Sequence, residues 1–372
     1  MKNSEKKKSR LGKALRITAI ALCVLLLVPM LVVEAGRLVT LAKNRISSKN
    51  GVDESIFVDL CGQRQRLLIR GGDTSNPVVV WLHGGPGGPD TFVNYSFQKY
   101  LVDDYTFINW DQRGCGSTYY ANRENDPDNS SATFEQALDD LDALVDYARE
   151  RFGQDKVIIA GHSYGTILGS KYVALHPEKV AAYVGTGQAV WFNEKTSTAH
   201  ALLEAGKKGG DTSAMVAAFK AYSEERSYEN IAALRKETGK YNKAEREANT
   251  ITIGMFSPYM NFSDLRWFLK PMIVGEAEYV RINQQLLDTC LAVNVYDNGK
   301  EYAVPMNFIS GSDDWICAVT DSEEFCERIT APYKSWHTIE GCGHTPQFDA
   351  PEEYARIFDS VLKESLGERN IP

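Results

Sequence analysis

The segment Gly161-His162-Ser163-Tyr164-Gly165 has the spacing that places a reactive serine at a sharp turn of the chain. A serine hydroxyl attacks a carbonyl carbon only when a neighbouring base takes its proton, so the chemistry expected here is acyl transfer. The segment follows an apolar run typical of a buried strand, 156–160, and it opens a helical pattern over 164–175. Its two glycines would allow the tight turn that aims the hydroxyl above a sheet. We therefore predict Ser163 as the nucleophile.

A glycine-rich segment near the C-terminus supplies the candidate base. Where a serine lies in such a turn, the acid and then the histidine follow it along the chain. Of the six histidines, only His337 and His344 come late enough. His337 falls inside a predicted strand, 333–340, where a packed histidine is the simpler interpretation. His344 lies in the loop that follows, and we predict it as the general base.

Two adjacent aspartates compete for the role of the acid that orients the base. Asp313 and Asp314 follow a predicted strand over 305–310, in the sequence Gly-Ser-Asp-Asp. A turn across 311–314 would use Asp313 locally, as a cap of the turn or of the next helix, and leave Asp314 projecting toward His344. We favour Asp314, whose task is to fix the imidazole tautomer and stabilise the imidazolium.

The loop His83-Gly84-Gly85-Pro86-Gly87-Gly88 follows another continuous apolar strand, 78–82. Glycines let main-chain N–H groups approach a substrate carbonyl closely, so we predict an oxyanion hole formed by the N–H groups of Gly85 and Tyr164. The alternative is a loop that cradles phosphate, but the Lys-Ser/Thr ending of such loops is missing. We expect His83 to be a structural hydrogen-bonding residue.

Composition and charge describe a folded globular chain that does not bind nucleic acid. The 372 residues are 43% hydrophobic and 24% charged. Residues 1–16 hold seven Lys or Arg and one Glu, so a total charge of −8 leaves −14 for the remainder, which would repel phosphates. The seven cysteines show no metal-ligand spacing, and we expect neither metal nor cofactor. Disulfides and small buried hydrophobes both remain open for the cysteines.

Strand and helix patterns alternate along most of the chain, which predicts a parallel sheet covered by helices on both faces. Residues 55–60 and 66–69 resemble antiparallel strands that begin the sheet, and 134–152 has helical periodicity. Residues 190–295 are mostly helical in pattern. We predict them to be an inserted helical cap, with the core of the fold at 51–189 and 296–372.

The N-terminus carries an uncharged run, Ile17–Val33, behind a basic cluster. We predict a cytoplasmic basic tail over 1–13, a transmembrane signal anchor over 14–36 and a stalk over 37–50, which would place the catalytic domain outside the cell membrane. One alternative is a cleaved secretory signal, since 33–35 resembles a small-residue cleavage site. Another is a hydrophobic helix buried in the body.

Three segments together resemble the proline iminopeptidases, a peptidase branch of the α/β-hydrolases. They are the HGGPGG loop at 83–88, the sequence WDQRGCGS at 110–117 and the serine turn at 161–165. The resemblance implies an α/β-hydrolase fold, a mostly parallel sheet with an inserted helical cap, and the release of N-terminal residues, often proline, without a cofactor. Residues 311–314 resemble that family's G-x-x-D acid motif, which also favours Asp314. The serine turn reads GHSYG where the family commonly has GGSWG, and its amine-binding cap carboxylates have no matched positions here.

We therefore carry three hypotheses: a serine aminopeptidase acting on short peptides, a carboxylic-ester or amide hydrolase of small molecules, and a catalytically inactive binding protein anchored in the lipid bilayer. An aminopeptidase must hold a free ammonium group, for which a cap carboxylate is suited. Candidate carboxylates are Glu194, Glu204, Glu276 and Glu278. Cap aromatics that could line an apolar pocket, or form ordinary cap core, are Trp191, Phe192, Tyr259, Phe262, Trp267 and Phe268.

Overall fold

The computed structural model describes residues 2–242 and 244–367. Within them, eight strands form one sheet in the order β1-β2-β4-β3-β5-β6-β7-β8. The strands are β1 (Val52–Leu60), β2 (Gln63–Gly71), β3 (Val78–Leu82), β4 (Thr106–Trp110), β5 (Val157–His162), β6 (Val180–Thr186), β7 (Met306–Gly311) and β8 (Lys334–Ile339). The first two form an antiparallel hairpin and β2 pairs antiparallel with β4, whereas all pairs from β4 to β8 are parallel.

Helices cover the sheet and fill the long connection between β6 and β7. The helices of the first half are α1 (Lys2–Asn44), α2 (Tyr95–Gln98), α3 (Gly116–Asn122), α4 (Phe134–Phe152) and α5 (Tyr164–Leu175). Those between β6 and β7 are α6 (Lys195–Lys207), α7 (Ser213–Glu224), α8 (Tyr228–Thr238), α9 (Thr250–Met255), α10 (Phe262–Val274) and α11 (Glu276–Ala292). The last are α12 (Val319–Arg328), α13 (Pro346–Asp349) and α14 (Pro351–Leu366), with short 3-10 helices at Pro177–Lys179 and Val295–Asn298.

The central strands are buried on both faces because helices pack on each side of the sheet. All five residues of β3 are buried. Val78 and Val80 join one hydrophobic core and Val79 and Trp81 join another on the opposite face, as the two-residue period of a strand requires. This is the reason that parallel strands read as continuous apolar runs rather than alternating ones.

The parallel strands set the location of the site. In an open parallel sheet, functional groups gather beyond the carboxyl ends of the strands. Four such ends lie at one edge here, and the chain continues from them into the segments 83–88, 163–165, 311–314 and 341–344. The predicted chemical groups therefore come from segments that are far apart in sequence but meet at a single edge.

A buried charge cluster fixes the helices between β6 and β7 to the sheet. Arg66 Nη1 of β2 lies 2.8 Å from Asp264 Oδ2 of α10 and 3.4 Å from Asp111 Oδ2, and all three side chains are at most 2% exposed. Ser117 donates a hydrogen bond to the same Asp264 carboxylate at 3.0 Å. Burial, reinforced by the nearby Asp111 carboxylate, raises the pKa of Asp264 to about 6. Ser117 thus anchors α10 directly, and Asp111 holds the arginine that pairs with it.

The predicted transmembrane span at 14–36 is wrong. This segment belongs to α1, and no helix among the described residues is long and apolar enough to cross a membrane. The uncharged run between Arg16 and Glu34 has 17 residues, the lower limit of the ~17–25 that a spanning helix needs, and it contains Pro29. Bilayer contact through this helix loses its support for the same reason. The end of α1 instead contacts the body, where Arg37 Nε donates to the Met255 carbonyl at 3.1 Å.

Asp264 gives the protein a testable pH dependence. Because its pKa is raised in the folded state, folding binds a proton there, so this group favours the folded state more as the pH falls from 7 toward 5. We expect the free energy of unfolding of the wild type to gain on the order of 1 kcal/mol relative to Asp264→Asn between pH 7 and pH 5. Urea denaturation at both pH values measures this difference, with the exposed Asp297→Asn as control. Equal pH dependence of the wild type and Asp264→Asn would contradict the assignment.

Candidate active site

The Ser163 turn is sterically possible only with the glycines that flank it. Ser163 has φ 53° and ψ −121°, a conformation that strains a residue with a side chain. A Cβ atom on Gly161 would lie 2.6 Å from the Gly165 carbonyl oxygen, and one on Gly165 would lie 2.2 Å from the Leu82 carbonyl oxygen. The main chain therefore passes too closely for larger residues, and the turn between β5 and α5 holds Ser163 in a fixed position.

Asp314 and His344 form a buried pair at the next part of the sheet edge. His344 Nδ1 lies 2.9 Å from Asp314 Oδ2, and the carboxylate is fully buried. The other carboxylate oxygen, Oδ1, accepts the main-chain N–H groups of Ile316 and Cys317, each at 2.9 Å. A carboxylate only accepts hydrogen bonds, so the proton of the imidazole is assigned to Nδ1 and Nε2 is left with its lone pair. This is the tautomer that a general base requires.

Close main-chain packing joins the two loops that carry this pair. A Cβ atom on Gly311 would lie 2.1 Å from the Gly343 carbonyl oxygen. The Asp313 main-chain N–H donates to the Cys342 carbonyl at 2.9 Å. Gly187, with φ +53°, lies against the pair itself, since its Cβ would be 3.1 Å from Asp314 Oδ2. Of the two competing aspartates, it is Asp314 that contacts His344.

Two side chains of the cap donate hydrogen bonds to the glycine loop at 83–88. Trp267 of α10 donates its indole N–H to the Gly87 carbonyl, and Tyr279 of α11 donates its hydroxyl to the Pro86 carbonyl, both at 2.9 Å. Gly85 adopts φ +119°, where a Cβ would meet the Gly88 nitrogen at 2.6 Å. Within the described residues, neither the Gly85 nor the Tyr164 main-chain N–H donates a hydrogen bond. These two groups can therefore serve an incoming oxyanion.

His83 supports this loop through hydrogen bonds to its neighbours. Its ring is buried, Nε2 accepts the Gln112 main-chain N–H at 3.3 Å, and Nδ1 lies 2.8 Å from the Gly84 carbonyl. Gln112 also donates its side-chain amide to the His83 carbonyl at 3.1 Å. The 110–117 segment, which sequence reasoning used only for its resemblance, thus braces both the glycine loop and the cap.

A cavity of about 320 Å³ opens above Ser163. Ser163, His344 and Gly85 lie on its wall, with Asp314 behind His344 and Tyr164 buried at the start of α5. No direct hydrogen bond joins Ser163 to His344 in the described structure, a separation that substrate binding commonly closes. The side facing the cap is largely apolar and carries Arg235 together with five apolar residues, Phe192, Ile231, Leu287, Leu291 and, from the loop after β7, Ile316.

The sequence model of the alpha/beta hydrolase fold family matches residues 77–351, which is most of the chain. The protein belongs to the α/β-hydrolase family. A "probable aminopeptidase" of Bacillus subtilis (strain 168) is similar to it, with 25% identity over 310 residues that cover 82% of this chain and 94% of that protein. A proline iminopeptidase of Heyndrickxia coagulans is 24% identical over 327 residues, covering 82% and 97%.

Solved structures share the fold of this α/β-hydrolase. A bacterial membrane phospholipase A superposes with a TM-score of 0.62 at 20% identity, covering 97% of this chain and 99% of that one. A proline iminopeptidase-related protein of Thermus thermophilus superposes with a TM-score of 0.54 at 18% identity, covering 84% and 98%. The predicted resemblance to the proline iminopeptidases is confirmed, and hydrolysis is the reaction class that the family supports.

Three of the four cap carboxylates proposed from the sequence, Glu194, Glu204 and Glu278, do not line the cavity of this hydrolase. Glu194 is buried and pairs with Arg235 at 2.7 Å, Glu204 pairs with Lys207, and Glu278 pairs with Arg281. The side chain of Glu276 is outside the described residues. The acidic residue on the wall is Asp90, which sequence reasoning missed. Its position two residues after the glycine loop was the available signal.

The cap aromatics and the cysteines occupy different environments in the structure. Of the cap aromatics, Phe192 lies on the wall, whereas Trp267 holds the glycine loop. Cys61 is exposed, and the described cysteines that follow it along the chain are buried and free of disulfides. Among the described residues, no group of His, Cys, Asp and Glu is arranged to hold a metal ion.

His162 is a second residue of the site that sequence reasoning missed. Its Nε2 lies 2.8 Å from the His344 carbonyl oxygen, and the two imidazole rings are 4.7 Å apart. Burial, with a smaller contribution from the neighbouring His344, lowers the pKa of His162 to about 3. The ring is therefore neutral and donates its Nε2 proton to the loop that carries the base. His162 is a positioning residue that ties the Ser163 turn to the His344 loop.

Replacing His162 separates this positioning role from general stability. We expect His162→Leu to lower kcat about fivefold with little change in KM, because the loss of one buried hydrogen bond is worth about 1 kcal/mol. His162→Gln, which retains an N–H donor, should recover much of that loss. Steady-state hydrolysis of p-nitrophenyl acetate measures both variants, and thermal unfolding checks that they fold. Equal loss in the Leu and Gln variants would contradict the role.

Proposed function

We propose that this α/β-hydrolase is a serine aminopeptidase of the proline iminopeptidase type, which releases N-terminal residues from short peptides. The observation that supports acyl transfer is the His344–Asp314 hydrogen bond at the cavity that also contains Ser163. The two relatives that cover 82% of the chain carry aminopeptidase names, which supports the substrate class. No cofactor enters the proposed reaction.

Acylation begins when Ser163 Oγ attacks the carbonyl carbon of the scissile bond and His344 Nε2 takes the hydroxyl proton. The imidazolium that forms is stabilised by the Asp314 carboxylate, which remains ionised. The carbonyl oxygen becomes an oxyanion that accepts the N–H groups of Gly85 and Tyr164. The C–N bond then breaks, His344 returns the proton to the departing amine, and the N-terminal residue remains as an ester of Ser163.

Deacylation repeats these steps with water as the nucleophile. His344 Nε2 takes a proton from water, whose oxygen attacks the ester carbonyl, and the oxyanion again accepts the N–H groups of Gly85 and Tyr164. Breakage of the C–O bond to Ser163 and return of the proton to Oγ release a free amino acid. The enzyme is regenerated with His344 neutral.

Asp90 is the carboxylate that we propose for the free ammonium group of the substrate. It lies on the cavity wall beside the glycine loop, and its oxygens accept hydrogen bonds from Trp81 Nε1 at 2.9 Å and Asn94 Nδ2 at 2.8 Å. Burial raises the pKa of Asp90. An ammonium group beside it would favour the ionised carboxylate and form a charge-assisted hydrogen bond.

The apolar cap side of the cavity favours a second candidate, a hydrolase of small carboxylic esters or amides. The five apolar residues on that side would accept an acyl chain as readily as an amino-acid side chain. The two candidates share Ser163, His344 and Asp314 and differ in whether a free ammonium group is required.

A substrate panel on the purified protein tests the proposal. We expect cleavage of prolyl- and alanyl-p-nitroanilides, with N-acetyl-alanyl-p-nitroanilide at least about tenfold slower, because the acetyl group removes the charge that Asp90 would bind. Asp90→Asn should narrow that difference, whereas Glu204→Gln, a cap acid away from the cavity, should preserve it.

Ser163→Ala serves as the control for the chemistry and should remove turnover of every substrate. Cleavage of p-nitrophenyl butyrate alone would select the ester hydrolase over the aminopeptidase. An absence of turnover across the whole panel would contradict both and favour a binding protein on an inactive scaffold.

A further inference from the structure

A cationic side chain lies on the otherwise apolar cap side of the cavity. Arg235 shares this wall with Phe192 and Ile231, and its side chain is 33% exposed. Its position follows from helical spacing, since Ile231 and Arg235 are one turn apart on α8 and face the same direction. Charged groups are costly to place in apolar surroundings unless a partner compensates for lost water.

Glu194 supplies part of that compensation from outside the cavity. Arg235 Nη2 lies 2.7 Å from Glu194 Oε1, and the glutamate side chain is 2% exposed. The guanidinium carbon also lies 5.4 Å from the centre of the Phe192 ring, within cation–π range. These contacts fix the orientation of the planar guanidinium group against the wall.

Much of the hydrogen-bonding capacity of Arg235 remains unused. A guanidinium group has five N–H donors, and the described structure pairs it with one carboxylate oxygen. Its Nε atom is buried and has no hydrogen-bond partner among the described residues. A buried donor without an acceptor costs about 1–3 kcal/mol, so native structures seldom retain one without a reason.

We propose that Arg235 binds a carboxylate group of the substrate and so selects anionic substrates over neutral ones. This inference rests on the proposed hydrolysis at Ser163, whose cavity Arg235 shares. A guanidinium presents paired N–H groups in a planar fork that matches a carboxylate. In a peptide substrate the carboxylate comes either from an acidic N-terminal side chain or from the free C-terminus of a dipeptide.

The cavity then recognises both charges of a short peptide. Asp90 lies beside the glycine loop and takes the ammonium group, whereas Arg235 lies on the cap side and takes the carboxylate. Because Glu194 already offsets the charge of Arg235, we expect moderate selectivity of about tenfold, at the lower end for a hydrogen bond to a charged group.

Two matched pairs of peptides identify the source of the carboxylate. Alanyl-alanine against alanyl-alanine amide tests the C-terminus, and glutamyl-alanine amide against glutaminyl-alanine amide tests the side chain. We expect the wild type to prefer the anionic member of at least one pair about tenfold in kcat/KM, and Arg235→Met to remove that preference. Arg235→Met should lower kcat/KM for the anionic member by about tenfold more than for its neutral partner, so the ratio within each pair is the readout.

A pair of esters keeps this test independent of peptidase activity. The hemi-ester p-nitrophenyl glutarate and the neutral p-nitrophenyl pentanoate differ mainly in a terminal carboxylate. If no peptide is cleaved but both esters are, the aminopeptidase proposal fails while the ester pair still reports on Arg235. The anionic preference should also weaken as salt screens the charge.

Control variants separate recognition from folding. Arg235→Met leaves Glu194 buried without a cation, so the double variant Glu194→Gln with Arg235→Gln removes both charges together. Arg281→Met, at a cap arginine paired with Glu278 and Asp128 away from the cavity, should retain the wild-type preference. The proposal is overturned if the wild type shows no anionic preference in either the peptide or the ester pairs, or if the preference survives in a folded Arg235 variant.

Discussion

The hydrogen bond between the Asp314 carboxylate and the His344 imidazole is the interaction on which the proposed chemistry depends. One carboxylate oxygen is occupied by two main-chain N–H groups, so the other is directed at Nδ1 and the imidazole presents Nε2 to the cavity. This geometry requires the loops after β7 and β8 to approach so closely that a side chain at position 311 would clash with the Gly343 carbonyl, while Gly187, at φ +53°, packs against the pair from the end of β6. Backbone sterics, set by residues with no chemistry of their own, therefore help to place the carboxylate against Nδ1 of the imidazole.

The same edge of the sheet connects the loop of His344 to the turn of Ser163 and to the cap. His162 donates to the His344 carbonyl from the strand that ends at Ser163. The segment 110–117 braces the glycine loop through Gln112 and contacts α10 through Ser117, while Asp111 binds Arg66, the arginine that pairs with Asp264 of α10. Side chains of α10 and α11 in turn donate hydrogen bonds to carbonyls of the glycine loop. The cap therefore shapes the predicted oxyanion site as well as the cavity above it.

Local patterns in the sequence were sufficient to predict most strands and helices. They also predicted that Ser163, Asp314 and His344 follow strands whose ends lie at one edge of the sheet. The periodicity over 134–152 matches α4 in full, and the apolar run at 78–82 matches β3, because both follow from burial within a few residues. The contacts that could not be predicted join residues far apart in sequence, such as Arg66 with Asp264 and His162 with His344. Arg235 gave no local signal, and Asp90 gave only its position two residues after the glycine loop, because the roles of both depend on which side chains share a cavity. The uncharged run at 17–33 suggested a membrane span because 17 residues lie at the lower limit of the length that crosses a bilayer.

The orienting role of Asp314 is tested most directly by exchanging each of the two neighbouring aspartates for asparagine and measuring kcat on one activated ester. An amide at position 314 would donate to Nδ1 and leave the imidazole in the wrong tautomer, so Asp314→Asn is predicted to lose about 10³–10⁴ in kcat while remaining folded. Asp313, whose main-chain N–H rather than its carboxylate joins the loops, should tolerate the change within a few-fold. A folded Asp314→Asn protein with near wild-type kcat, or a comparable loss in Asp313→Asn, would contradict this account of the site.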